Sequence, residues 1–151
     1  MPQSLAKLYV HIIFSTKDRY PFLDQKNLRK EMFSYLAEIF NQYDSPALIV
    51  GGFNNHVHIL CQLSKNHLIT KIIGEAKRTS SKWIKSKSII LKKFHWQSGY
   101  GAFSVGQSNL ESLKSYIKNQ EYHHQKNPYK EEYLGFLKKY DIDYDEKYLW
   151  D

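Results

Sequence analysis

With one cysteine, Cys61, in 151 residues, the chain can form neither a disulfide framework nor the thiolate set of a zinc finger. The H-x-E…P-C-x-x-C signature of zinc deaminases is missing too. No apolar run reaches the length of a membrane span, and no signal-peptide h-region stands near the N-terminus. A soluble protein of a reducing cytoplasm, with no membrane partner, is the expectation. Internal repeats, low-complexity tracts and interdomain linkers are absent, so residues 1–151 read as one domain, with a C-terminal helix and tail from about 129. Acidic residues are in the minority, 15 against 22 Lys and Arg. The resulting net charge of +7 points to a polyanionic partner, nucleic acid before membrane surface.

What is present is organised by hydrophobic period. Leu5 to Ser15 is rich in β-branched and aromatic residues and reads as a strand, apolar on both faces at its centre, with His11 inside it. From Asp24, a fair N-cap, to Gln42 the apolar positions Leu28, Met32, Tyr35, Leu36, Ile39 and Phe40 recur at helical spacing. The apolar run from Pro46 to Leu63 reads as two short strands, 46–53 and 56–63. Gly51-Gly52 lies near their meeting and Asn54-Asn55 is the connecting turn. A second helix, His67 to Lys87, carries Lys71, Lys77, Arg78, Lys82, Lys85 and Lys87 opposite its apolar stripe. Phe94 to Gly106 reads as a loop and then a strand. Asn109 to Gln125 reads as a helix stopped by Pro128, and Glu131 to Lys139 as a last amphipathic helix. The order β-α-β-β-α-β predicts an α+β, ferredoxin-like (RRM-like) antiparallel sheet with added C-terminal helices. Its first and third strands would be central, and the face opposite the two helices free for substrate or for extra helices.

Two stretches carry chemistry. On a strand, His56 and His58 point to one face while Val57, Ile59 and Cys61 point to the other. Two such imidazoles are half of a divalent-metal site that still needs a third ligand. Sixty residues on, Tyr116 and Gln120 are one helical turn apart, and His123 falls within about 20° of Tyr116 on the same helix. A phenolic nucleophile beside a neutral oxygen donor, brought against the histidine pair, would leave open positions on a hard cation such as Mg²⁺ or Mn²⁺ for phosphate oxygens.

His56-Val57-His58, Tyr116-Ile-Lys-Asn-Gln120 and Trp96-Gln-Ser-Gly-Tyr-Gly-Ala-Phe-Ser-Val resemble the signature stretches of the single-tyrosine HUH transposases, the insertion-sequence-200-like group. The likeness runs through almost the whole chain. It implies that His56, His58 and Gln120 bind the metal and that Tyr116 attacks a single-stranded DNA phosphate. A 5′-phosphotyrosine and a free 3′-OH would result. It further implies recognition of hairpin DNA ends, a homodimer sharing its active sites between subunits, and a cytoplasmic, nucleoid-associated protein of a bacterial or archaeal cell. Lys77, Arg78, Lys82 and Trp96 are the expected DNA contacts, and His123 a possible auxiliary group. Two alternatives stand beside this: a non-catalytic module binding single strands by stacking, and a domesticated relative serving chromosomal repeats.

Overall fold

The computed structural model describes residues 2–124 and 127–151. Strands β1 (Tyr9–Ser15), β2 (Ala47–Phe53), β3 (His56–Gln62) and β4 (Gly101–Val105) make one sheet in the order β2-β3-β1-β4, every pair antiparallel. Helix α1 (Lys26–Gln42) joins β1 to β2, and α2 (Ile69–Lys85) leads from β3 toward β4. This is the expected β-α-β-β-α-β arrangement with β1 and β3 central. Among the described residues the C-terminal helices are α3 (Leu110–Lys118), α4 (Gln120–His124), α5 (Tyr129–Lys139) and α6 (Glu146–Leu149). No helix among the described residues is long and apolar enough to cross a membrane.

The boundaries move from expectation for local reasons. β1 starts at Tyr9, not Leu5, because its ladders to β3 and β4 begin there; Leu5 is exposed. Gln25 rather than Asp24 caps α1, its side chain accepting from the Leu28 N–H. The helix expected over 109–125 breaks at Asn119 (φ −98°, ψ 20°) into α3 and α4, and Gln125 lies outside the described residues.

Both sheet faces are buried, with different contents. Ile12 and Phe14 of β1 and Val57, Ile59 and Cys61 of β3 pack with Met32, Leu36, Phe40, Ile72, Ile73 and Ala76 of α1 and α2. Burial pushes the Cys61 thiol up to about 12, so it stays protonated and inert. The alternate residues make the other face. There Ile13 and Phe103 pack with Tyr129, Tyr133 and Leu137 of α5, and Leu60 packs with Leu110 and Ile117 of α3. The added helices thus occupy the face left free by α1 and α2.

Helix α3 lies hard against β2 because Gly51 has no side chain. A Cβ there would stand 2.6 Å from the Ile117 carbonyl oxygen. Gly51→Ala should therefore lift α3 and cost about 1–3 kcal/mol. A lowered urea midpoint with an unchanged slope checks this, and an unshifted midpoint would refute the close approach.

Candidate active site

The histidine pair sits where period-2 alternation places it. His56 pairs with Ser15 and His58 with Ile13 across the β1–β3 ladder, both with buried side chains. Each ring has an outer nitrogen held by a neighbour. His11 Nε2 lies 2.8 Å from His58 Nδ1, and Asn55 Oδ1 lies 2.9 Å from His56 Nδ1. Burial, then the neighbouring His58, lowers the His11 pKa to about 2, so His11 is neutral.

Their inner nitrogens meet Gln120 of α4 and Glu132 of α5, and Glu132 in turn gathers Tyr116 of α3 and His124 of α4. His58 Nε2 is 2.9 Å from Glu132 Oε1, and His56 Nε2 is 2.9 Å from Gln120 Oε1 and 3.8 Å from Glu132 Oε1. Gln120 Nε2 donates to Glu132 Oε2 at 3.0 Å, and the Tyr116 hydroxyl donates to the same oxygen. His124 Nε2 lies 3.2 Å from Glu132 Oε1. Although α3 and α4 are separate helices, Tyr116 and Gln120 do converge, through a shared carboxylate.

The donor set fits a divalent cation. One ligand atom from each of His56, His58, His124 and Glu132 lies within 4.8 Å of all the others. His56 gives the sharper argument. Burial, then His58, holds its pKa well below 6.5, so its ring carries one N–H. Asn55 Nδ2 donates to the Arg19 carbonyl (3.3 Å), which turns Oδ1 toward His56 Nδ1. The Gln120 amide is turned likewise by its bond to Glu132, aiming Oε1 at His56 Nε2. One imidazole nitrogen therefore faces an oxygen, lone pair to lone pair, and a cation beside them satisfies both.

Electrostatics follow from burial and this crowding. Burial alone would raise the Glu132 carboxyl, but hydrogen bonds from His124 and His58 outweigh it and hold the group well below the usual carboxylate range. Burial, and then the Glu132 charge, raises the Tyr116 phenol well above 10. Tyr116 is therefore a protonated hydroxyl whose hydrogen already faces an acceptor.

Glu132 and His124 were not among the residues expected from the sequence. Glu132 could have been suspected: it shares the apolar stripe of α5 with Tyr129, Tyr133 and Phe136, where a carboxylate needs a buried partner. His124 had no such signal, because the break at Asn119 decides which of two adjacent histidines turns inward. His123 instead stacks on the Tyr116 ring, centroids 4.9 Å apart.

The expected DNA contacts divide. Lys77 is turned inward: its ammonium donates to the carbonyls of Gln97 (2.8 Å), Ser98 (3.3 Å) and Gly99 (2.7 Å) and lies over the Phe14 ring. Trp96 is buried in the core with its indole N–H on Ser80 Oγ at 2.9 Å. In this structure the donors of both are taken up inside the chain, the Lys77 ammonium by backbone carbonyls and the Trp96 indole by Ser80. Arg78 and Lys82 are exposed, Arg78 paired with Glu75 at 2.6 Å. Lys77→Ala should lower the melting temperature and leave the salt dependence of single-strand binding unchanged. Lys82→Ala should leave stability alone; if it meets a phosphate, it reduces the log–log salt slope by about 0.7. The opposite pattern would restore Lys77 as a contact.

Over residues 4–120 the chain matches the model of the family described as "Transposase IS200 like". That span includes His56, His58, Tyr116 and Gln120 and stops short of His124 and Glu132. Among solved structures the chain is similar to a candidate transposase from Deinococcus radiodurans R1, at 22% identity and TM-score 0.62, with 80% of this chain and 95% of that one covered. It is also similar in fold to a REP-associated tyrosine transposase bound to a REP hairpin, at 12% identity and TM-score 0.60, with 82% and 73% covered. No curated protein matches.

Proposed function

The chain belongs to the IS200-like transposase family, and on that premise we propose that it cuts and rejoins single-stranded DNA through a phosphotyrosine on Tyr116. The observation that carries this reading is the convergence of the Tyr116 hydroxyl, the Gln120 amide and the inner nitrogens of His56 and His58 around one carboxylate. His56, His58 and Gln120, with Glu132 beside them, would hold Mg²⁺ or Mn²⁺. The bound ion would supply positive charge to the scissile phosphate.

The chain's own groups do the rest. Glu132 Oε2 accepts the phenolic hydrogen and so aims the oxygen's lone pairs outward. As the Tyr116 oxygen bonds to phosphorus, the phenol becomes acidic and its proton passes to that carboxylate. The bond to the 3′-oxygen breaks, and that oxygen leaves as a hydroxyl by taking a proton from solvent while Glu132 releases its own, giving a 5′-phosphotyrosine. Because one phosphate ester replaces another, a second 3′-OH can reverse the step without ATP. His11 and Asn55 hold the two imidazoles in place through their outer nitrogens.

The REP-associated relative is bound to a hairpin, and hairpin recognition is part of this proposal for the present chain, in a mobile element or at chromosomal repeats. All the groups above come from one chain. A homodimer sharing its active sites would have to exchange at least α3, the helix that carries Tyr116.

The test is a labelled single-stranded hairpin incubated with protein and Mg²⁺ or Mn²⁺, then run on a denaturing gel. A retarded covalent band is expected. His56→Ala or His58→Ala should reduce it about 100-fold or more. If no band forms with either metal, or if it persists in chelator, the metal-dependent nuclease reading fails.

A further inference from the structure

Lys77 and Trp96 are used up inside the fold, yet an apolar and cationic surface stands open where β1 ends and β3 begins. A cleft of about 530 Å³ there is lined by Lys17, Tyr20, Phe22, Ile89, Ile90 and Lys93. Ile89 is 82% exposed, Ile90 78% and Tyr20 59%, a concentration of bare apolar surface on a small protein. The tyrosine is firmly backed. Its ring lies 4.6 Å from Phe22, Phe22 lies 5.2 Å from Phe94, and Phe94 lies 4.8 Å from Trp96, a ladder running into the core. Lys17 and Lys93 are exposed at the cleft, with Lys92 next in sequence, against the single carboxylate of Asp18.

The loop that carries Tyr20 is also held in an unusual conformation. Asp18 and Arg19 both have φ of 56°, in the left-handed region that non-glycine residues rarely enter. Thr16 Oγ1 pins it through the Tyr20 carbonyl at 2.7 Å, and Asn55 Nδ2 through the Arg19 carbonyl at 3.3 Å. Asn55 is the residue whose Oδ1 faces His56 Nδ1 at 2.9 Å. Two hydrogen bonds thus connect this loop to a metal-binding imidazole.

We propose that this cleft binds single-stranded DNA. An unstacked base lies on the Tyr20 ring and against Ile90, and flanking phosphates sit at Lys17 and Lys93. The strand then passes round the 17–20 loop toward His56. The inference rests on the single-stranded DNA reading of the active site and adds to it a second contact. The chemistry of the lining favours this occupant. A rigidly backed, exposed ring with aliphatic neighbours suits the face of any base, and cations at the edges suit the backbone. A duplex would hide its bases from such a cleft. A second copy of the chain, docked on this patch by two-fold symmetry, would bring one basic patch against another.

The test uses the full chain and a fluorescent single-stranded oligonucleotide, read by anisotropy across a salt series. Tyr20→Ala should weaken binding about 5- to 150-fold, while Tyr20→Trp, which keeps a stacking face, should retain it. Ile90→Gln should weaken binding as well. The Lys17→Ala, Lys93→Ala double variant should reduce the log–log salt slope by about 1.4. Unchanged affinities in folded variants, judged by circular dichroism, would overturn the proposal. So would Ile90→Gln turning a dimer into a monomer with DNA affinity intact. Covalent capture by the wild-type protein is scored separately on a denaturing gel. Its absence would sink the nuclease reading and leave the affinities to decide the cleft.

Discussion

Tyr116→Phe should erase the covalent protein–DNA band, a loss on the order of 10⁴-fold or more, while single-strand affinity stays within about threefold. The substitution removes one oxygen and keeps the ring. Stacking on His123, 4.9 Å away, and the edge contact with Phe136, 6.1 Å away, therefore survive, and so does the seat of α3 on β2. Glu132 loses one of its donors but keeps Gln120, His58 and His124. The fold should pay only about 1 kcal/mol. Wild-type yields of covalent product in this variant would remove Tyr116 from the chemistry altogether.

Glu132→Ala should be the most destabilising single change in the site. The side chain is a buried carboxylate accepting from Tyr116, Gln120, His58 and His124, and its removal leaves these donors facing an empty space. Breaking such a buried centre costs about 3–5 kcal/mol. For a chain of this size that is a fall of about 6–20 °C in melting temperature. Glu132→Gln keeps the volume and isolates the charge. Mn²⁺ at a hundredfold over its dissociation constant should stabilise the wild-type protein by about 2.7 kcal/mol. If Glu132 faces the ion, the Gln variant should need at least about tenfold more metal for the same gain, because it has lost the one anion beside the cation. Tighter Mn²⁺ binding by Glu132→Gln would mean that the carboxylate competes with the ion and would remove it from the ligand set.

The two-strand hairpin and its histidine pair were legible because they depend on local rules. Alternation on a strand fixed which way His56 and His58 point, and Asn54-Asn55 marked the turn. The convergence of Tyr116 and Gln120 was also readable, although for an incomplete reason. An unbroken helix would have aligned them by period, whereas here the chain breaks at Asn119 and both still reach Glu132. Glu132 itself belongs to a helix that says nothing about the site until it is laid across the sheet. The inward turn of Lys77 and Trp96 was hidden for a related reason. A basic helix face and an aromatic loop have the same composition whether they meet solvent or meet each other. Only the carbonyls of Gln97, Ser98 and Gly99 and the hydroxyl of Ser80 show that they meet each other.

Because β1 and β3 are covered on both sides, slipping β3 by one position would exchange the contents of two interiors. His56 and His58 would be driven among Met32, Leu36 and Ile73, where nothing accepts a hydrogen bond from them, while Val57 and Ile59 would confront the Glu132 carboxylate. Misaligned pairings are thus penalised twice, once for each layer. The two imidazoles add to the cost of a slipped register, beyond the cost of exchanging the apolar residues between the two layers.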